Sequence, residues 1–197
     1  MTEDDEKLRA DARANRDRIL DVARETLAAN PDASLNAIAK TAGVGAGTLY
    51  RHFPSREALV LGVYRKEVDA LVGLAPKLLA KHQPMQAFRL WCDRLVQFGR
   101  VKHGVADVLH AVLSDQDFRE TYWPMADAVR MMMEACEASG DIRGGNNPED
   151  VLQFLGGLWR LPPSSAGEAQ AKRLLALIFR GLGAKDEADA APPDKDM

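Results

Sequence analysis

The chain has 197 residues, 46% of them hydrophobic and 28% charged, with a formal net charge of -3. This is enough apolar material for one sizeable core or a small domain joined to a larger one, and the charge is too balanced for a protein that is basic over its whole surface. No stretch offers the roughly 18 uninterrupted apolar residues that a membrane span needs. The start MTEDDEKLRADAR is acidic where a secretion signal would be basic, and Cys92 and Cys136 lie far apart without metal-ligand spacing. The expectation is a cytoplasmic chain with reduced thiols, no membrane partner, no cofactor and no metal site.

Apolar residues recur at helical spacing nearly throughout, and no alternating strand pattern interrupts them, so the expected fold class is all-α. A first helix is predicted over about 13–29, with Ile19, Ala23 and Leu27 on one face, ended by Asn30-Pro31-Asp32. Ser34 is placed to cap a short second helix whose stripe Leu35, Ile38, Ala39 and Ala42 stops at Gly43. A third helix takes in Ala46, Leu49, Tyr50 and Phe53 before Pro54 breaks it. Ser55 then caps a long fourth helix through Val60, Tyr64, Val68 and Leu71.

The junction of the second and third helices reads AGVGAGTLYRHF, with glycines at 43, 45 and 47. A dinucleotide fingerprint fails here, because its third glycine would stand at Thr48 and a strand, not an amphipathic helix, should precede it. A Walker loop fails too, since no lysine separates Gly47 from Thr48. A turn between two crossed helices accounts for more residues at once. Ala39 is the small contact residue, Gly43 the turn residue that tolerates positive φ, and Leu49 the apolar filler of the angle. Residues 34–56 contain no aspartate or glutamate but carry Lys40, Arg51, His52 and Arg56, a local positive field suited to a helix-turn-helix in a DNA major groove.

The segment SLNAIAKTAGVGAGTLYRHFPSREAL, residues 34–59, resembles the signature of the TetR (tetracycline-repressor) family of bacterial transcriptional regulators, strongly over this span and more loosely over the first helix. The resemblance implies an N-terminal three-helix DNA-binding domain followed by a helical effector-binding and dimerisation domain. It implies that Thr48, Tyr50 and His52 touch DNA bases and backbone, that Arg56 holds a phosphate at the start of the fourth helix, and that Lys40 is a less regular contact. Relatives often carry serine where Gly45 stands. With Gly45 and Ala46 at the helix start, readout leans on Thr48, Arg51 and contact with thymine methyls.

Beyond residue 65 the helical pattern continues without a comparable signature. Pro76 and Pro84 bracket a connection, Phe88, Trp91, Leu95 and Phe98 line one face, a shorter helix is predicted over 103–113, and Met125, Val129, Met132 and Cys136 form a further stripe. In the family this region encloses a small-molecule effector, which implies a pocket among Trp91, Leu95, Phe98, His110, Trp123, Met125 and Met132. His103, Asp107 and His110 fall at i, i+4 and i+7, too few and too irregular for a distinctive metal site. Asn147-Pro148 opens a helix with Val151, Leu152, Leu155 and Trp159, and Ser165 with Glu168 forms a capping box before Leu174, Leu175, Ile178 and Phe179. Apolar residues on more than one side of these two helices suggest a partner chain, and relatives dimerise through their last two helices. The expected interface is Leu152, Leu155, Trp159, Leu174, Leu175, Ile178 and Phe179.

The domains expected are a DNA-binding head over 1–58, an effector-binding and dimerisation body over 59–183 and a disordered tail over 184–197. The function expected is a homodimeric regulator of a pseudo-palindromic double-stranded DNA operator, usually a repressor, released by a small-molecule effector. An all-helical interaction scaffold without DNA binding is the alternative. An enzyme is not expected, because no paired carboxylates, activated nucleophile or phosphate loop stands out as a catalytic set.

Overall fold

The computed structural model describes residues 3–162 and 164–184; within them the side chains of 3, 4, 100–107, 110 and 112 are not described. The described residues form eight α-helices and no strand: α1 (Glu3–Ala29), α2 (Leu35–Thr41), α3 (Ala46–His52), α4 (Arg56–Leu79), α5 (Pro84–Val112), α6 (Asp115–Ala138), α7 (Pro148–Gly157) and α8 (Ser165–Gly181), with a short 3-10 turn at Leu158–Arg160. The all-α reading holds. The chain divides into two compact units, Met1–Ala70 with Arg100–Thr121, and Leu71–Gly99 with Tyr122–Met197. The first unit therefore takes in more than the head expected over 1–58. Of the tail expected over 184–197, all but Ala184 lies outside the described residues.

Several boundaries differ from the sequence expectation for identifiable reasons. α1 starts at Glu3 rather than near 13. Its first turns lack an apolar stripe for periodicity to detect, but alanines and long charged residues favour helix, and acidic residues at the start complement the helix dipole. The short helix expected over 103–113 is the end of one continuous α5, which runs through Gly104. A single glycine costs a helix only about 1 kcal/mol relative to alanine, which a long packed helix absorbs. Pro76 lies inside α4 near its end, so the connection before α5 is only residues 80–83.

The caps follow side-chain chemistry. The Ser34 hydroxyl accepts from the Ala37 N–H at 3.2 Å and the Ser55 hydroxyl from the Ala58 N–H at 3.2 Å, satisfying donors that a helix start leaves open. Asn147 accepts from the Glu149 N–H at 2.8 Å with Pro148 opening α7. The cap of α8 is Ser164, one residue earlier than expected, accepting from the Gly167 N–H at 3.2 Å. This shift places Gly167, not Glu168, at the third helical position, so the capping box expected from Ser165 does not form.

The first unit closes on one apolar core. α1 supplies Ile19, Leu20, Ala23 and Leu27, α2 supplies Ile38 and Ala39, α3 supplies Leu49, α4 supplies Leu59, Val60 and Val63, and Ala42, Phe53 and Leu109 complete it. Gly62 makes room for this packing, because a Cβ there would come within 2.9 Å of Phe53 Cε1 and 3.1 Å of Leu20 Cδ2. Ion pairs tie the outside of the same unit. Lys66 meets Asp21 at 2.8 Å, Arg24 meets Glu67 at 3.5 Å, and Arg65 reaches Asp117 and, at 3.0 Å, Glu120.

The second unit is packed around aromatic and sulfur-containing side chains. Phe88 meets Phe179 edge to face at 5.3 Å between centroids, and Phe98 meets Trp159 likewise at 5.6 Å. Cys92 and Cys136 are both free and buried. Burial pushes the Cys92 thiol far above its ordinary value and the Cys136 thiol up to about 12, so both stay protonated and poorly nucleophilic.

Candidate functional site

The turn between α2 and α3 is built by local chemistry. Gly43 adopts φ +65°, its N–H bonds the Lys40 carbonyl at 3.1 Å, and the Val44 N–H bonds the Ala39 carbonyl at 3.0 Å, which closes α2 and redirects the chain. Leu49 then buries the inner face of α3 completely. What remains outside is polar. Tyr50 is 44% exposed, Lys40 and Arg51 are exposed, and Thr48 and His52 are half-buried. Arg51 lies along α3, donating to the Gly47 carbonyl at 3.2 Å and to the Thr48 hydroxyl at 3.3 Å, so its charge is held near the start of the helix.

Gly45 occupies the N-cap of α3 and makes no side-chain cap bond, and Ala46 is exposed beside it. The open N–H groups at this end are left for water or for a ligand.

Arg56 has different partners from those expected. Its guanidinium donates to the Pro31 carbonyl and, at 2.6 Å, to the Ala33 carbonyl, bracing the turn between α1 and α2 against the start of α4. The anion expected at that helix start is already supplied from within the chain. Glu57 is held below the ordinary carboxyl range by a backbone hydrogen bond and by the Ser55 hydroxyl. Sequence position marks Arg56 as cationic and near α3, but only the folded turn brings the two carbonyls to it.

The residues expected to line an effector pocket fall into three groups. Trp91, Leu95, Phe98, Met125 and Met132 are all buried in the second unit, and Trp91 Nε1 donates to the Leu71 carbonyl at 2.9 Å. Trp123 is 47% exposed, stacked edge to face on Tyr122, and does not share that burial. The His110 side chain, with those of His103 and Asp107, lies outside the described residues.

The residues expected at a dimer interface also separate. Leu152, Leu155, Leu175 and Phe179 are buried within the unit, and Trp159 packs on Phe98 and against Gly99. The first four belong to the core of one chain, and Trp159 is half-buried at its edge. Leu174 and Ile178 instead line an open groove of about 700 Å³ together with Val151, Phe154, Gly157, Leu158, Leu177, Gly181 and Leu182, with Asn146, Asn147 and Asp150 among its lining. Phe154 and Leu177, which sequence reasoning passed over, are 71% and 56% exposed. The signal was present: Leu174, Leu177, Ile178 and Gly181 recur at i, i+3, i+4 and i+7, a second stripe beside Ala171, Leu175, Phe179 and Leu182.

The chain is similar to known regulators over both of its parts. Residues 19–63 match the family described as bacterial regulatory proteins, tetR family, and residues 83–184 match the family described as transcriptional regulator SbtR-like, C-terminal domain. The chain is similar to the TetR transcriptional regulator SCO0520 from Streptomyces coelicolor, with 37% identity and a TM-score of 0.75, the match covering 87% of this chain and 99% of that one. It is also similar to a TetR transcription regulatory protein from Mycobacterium vanbaalenii, with 30% identity and a TM-score of 0.70 over 89% of this chain and 98% of that one. Among curated relatives, the HTH-type transcriptional regulator SAUSA300_2515 of Staphylococcus aureus is 32% identical over 94 residues, 46% of this chain and 51% of that protein, so the match spans about half the length of such relatives. A helix-turn-helix with a polar, cationic outer face, the family matches over residues 19–63 and 83–184, and a 37% identical TetR regulator matched over 99% of its length mean that the chain belongs to the TetR family of transcriptional regulators.

Proposed function

We propose that the chain is a homodimeric repressor that binds a pseudo-palindromic operator and is released from it by a small-molecule effector. The observation that carries the DNA-binding part is the outer face of α3, where Thr48, Tyr50, Arg51 and His52 stand free of the core in a segment without a carboxylate. Lys40 and the open helix start at Gly45 and Ala46 extend that face. Arg56 supports it from behind by bracing the preceding turn, with its remaining N–H groups left for a phosphate. Two such faces in a two-fold dimer read two half-sites about one helical turn, or a modest extension of it, apart.

The groove on α7 and α8 supports the homodimer, since Phe154 and Leu177 stand exposed on its apolar lining and a second copy offers the same face. Leu174, Leu177, Ile178 and Phe154 make the contact, and Leu152, Leu155, Leu175 and Phe179 hold the helices from inside. The effector enters among Trp91, Leu95, Phe98, Met125 and Met132, where the methionines can repack around it. A hundredfold loss of DNA affinity on effector binding requires about 2.7 kcal/mol of coupling, and saturating operator must weaken effector binding by the same factor. α4 runs in sequence from the first unit into the second and is the element through which this coupling would pass.

Footprinting on DNA flanking the gene tests the reading. Symmetric protection of two half-sites is expected, with Arg51→Ala lowering affinity and reducing the slope of log affinity against log salt by about one per half-site. A chain that protects no DNA, or a single asymmetric half-site, overturns the dimeric docking.

A further inference from the structure

The apolar stripe that seals the first unit along α1 ends at Ile19, but the helix continues to Glu3, about 24 Å further at 1.5 Å per residue. Projected toward the N-terminus, the face that carries Ile19, Leu20, Ala23 and Leu27 presents Arg16, Arg13 and Arg9, with Ala12 beside them, in place of large apolar residues. Arg16 joins this stripe to the helix-turn-helix: its guanidinium carbon lies 5.2 Å from the centroid of the Phe53 ring, and Phe53 is the residue that ends α3.

The acidic residues near Arg13 and Arg16 are engaged elsewhere or turned away. Asp17 and Asp21 are engaged from α4, where Lys66 meets Asp21 at 2.8 Å, approaches Asp17 at 4.0 Å and donates to the Asp17 carbonyl at 3.1 Å. Asp11 projects from the opposite side of the helix at 100° per residue. Among the described residues, Arg13 and Arg16 have no carboxylate partner, and both are exposed. Asp5 and Glu6 come only before Arg9 and set the outer limit of the positive stretch.

We propose that Arg9, Arg13 and Arg16 form a second phosphate-binding element, which follows the DNA backbone flanking the half-site that α3 enters. The inference rests on the DNA-binding reading above and adds to it a contact that lies outside the helix-turn-helix. From Arg16 to Arg9 the helix rises about 10 Å, close to the axial length of three base pairs. Guanidinium groups at this spacing suit phosphate oxygens, which they grip through two parallel N–H bonds. The element supplies affinity and salt dependence, and no base readout.

Fluorescence anisotropy on two duplexes tests the proposal: the full footprint with its flanks, and the same site trimmed to the two half-sites. On the long duplex, the Arg9→Ala/Arg13→Ala protein should bind about tenfold more weakly, with the slope of log affinity against log salt reduced by about two per half-site. On the trimmed duplex it should match the wild type, and Arg13→Lys should keep the wild-type slope on both. Equal thermal melts establish that the variants are folded, and Arg9→Gln/Arg13→Gln provides a second charge-free pair should the alanine protein be unstable. Unchanged binding to the long duplex, or an equal loss on both duplexes, overturns the arginine element and leaves the DNA-binding reading standing. Failure of the wild type to bind any duplex from around its gene overturns both.

Discussion

The outer face of α3 and the outer face of α7 and α8 are both left uncovered by their own unit, and they are opposites in chemistry. On α3 the core side is one fully buried leucine, and what stands outside is hydroxyl, phenol and guanidinium. On α7 and α8 the core side is complete with Leu152, Leu155, Leu175 and Phe179, yet the outside is still apolar, with Phe154 and Leu177 mostly exposed. A polar, cationic face can remain in water until it meets a polyanion. An apolar face of this extent costs free energy in water, at about 25 cal/mol for each Å² left uncovered, until it meets another. The contrast teaches that hydrophobicity alone does not mark an interface. The useful mark is what remains exposed after the core has been satisfied.

The contrast is broken most sharply by placing a charge on each side of the α7–α8 pair. Leu155→Asp puts an unpaired carboxylate in a fully buried position and should leave the second unit unfolded by circular dichroism, since such burial costs several kcal/mol. Leu177→Asp should leave the chain folded and move it from dimer to monomer in sedimentation. If Leu177→Asp remains dimeric, the groove is not the contact.

A smaller effect is expected inside the first unit. Gly62→Val forces a side chain against Phe53 and Leu20 and should lower stability to urea by about 1–3 kcal/mol, with DNA affinity falling in parallel because Phe53 ends α3. A neutral melt would mean that Phe53 and Leu20 give way freely.

Acid titration probes the ion pairs on the same unit. The Asp117 carboxyl is held below its ordinary value first by the Ser114 hydroxyl, then by the Ser114 N–H, with Arg65 adding to it. Because the folded value is the lower one, this stabilisation is fully present above the ordinary carboxyl value near about pH 4 and is lost as pH falls through the folded value. Asp117→Asn should therefore lower stability at neutral pH and flatten the acid limb of a stability profile. A profile with an unchanged acid limb would assign that limb to other carboxylates.

The smallest effect concerns the bare start of α3. Gly45→Ser supplies the missing cap oxygen at a position with ordinary φ, where a Cβ would meet only the Thr48 Oγ1 at 4.0 Å, and should raise stability by a few tenths of a kcal/mol. Thermal melts check it, and a loss of stability would show that the glycine is needed for the backbone.

Much of this organisation follows from short-range chemistry. The caps Ser34, Ser55 and Asn147, the turn at Gly43 and the helical periods of α2, α3 and α7 are read correctly because each depends on residues within a few positions of one another. The same locality explains the misreadings. The start of α1 carries no apolar period, the stretch over 103–113 reads as a separate short helix but is the end of a long one, and Ser164 and Ser165 are equivalent caps until the chain entering from Pro162 selects one.

Residue order alone was sufficient to specify an all-helical chain, a glycine turn between two crossed helices and an acid-free cationic segment upon it, because composition, capping and periodicity act along the backbone. Which side of each helix meets the core was decided in three dimensions. Leu174 and Leu175 are neighbours of the same type, and nothing in their identity says that one lines an open groove while the other is buried. Arg56 and Arg51 are likewise two arginines in one segment, one turned to the carbonyls of Pro31 and Ala33 and the other laid along α3. Burial and hydrogen-bond partnership are properties of the residues that arrive from elsewhere in the chain, and only packing brings them together.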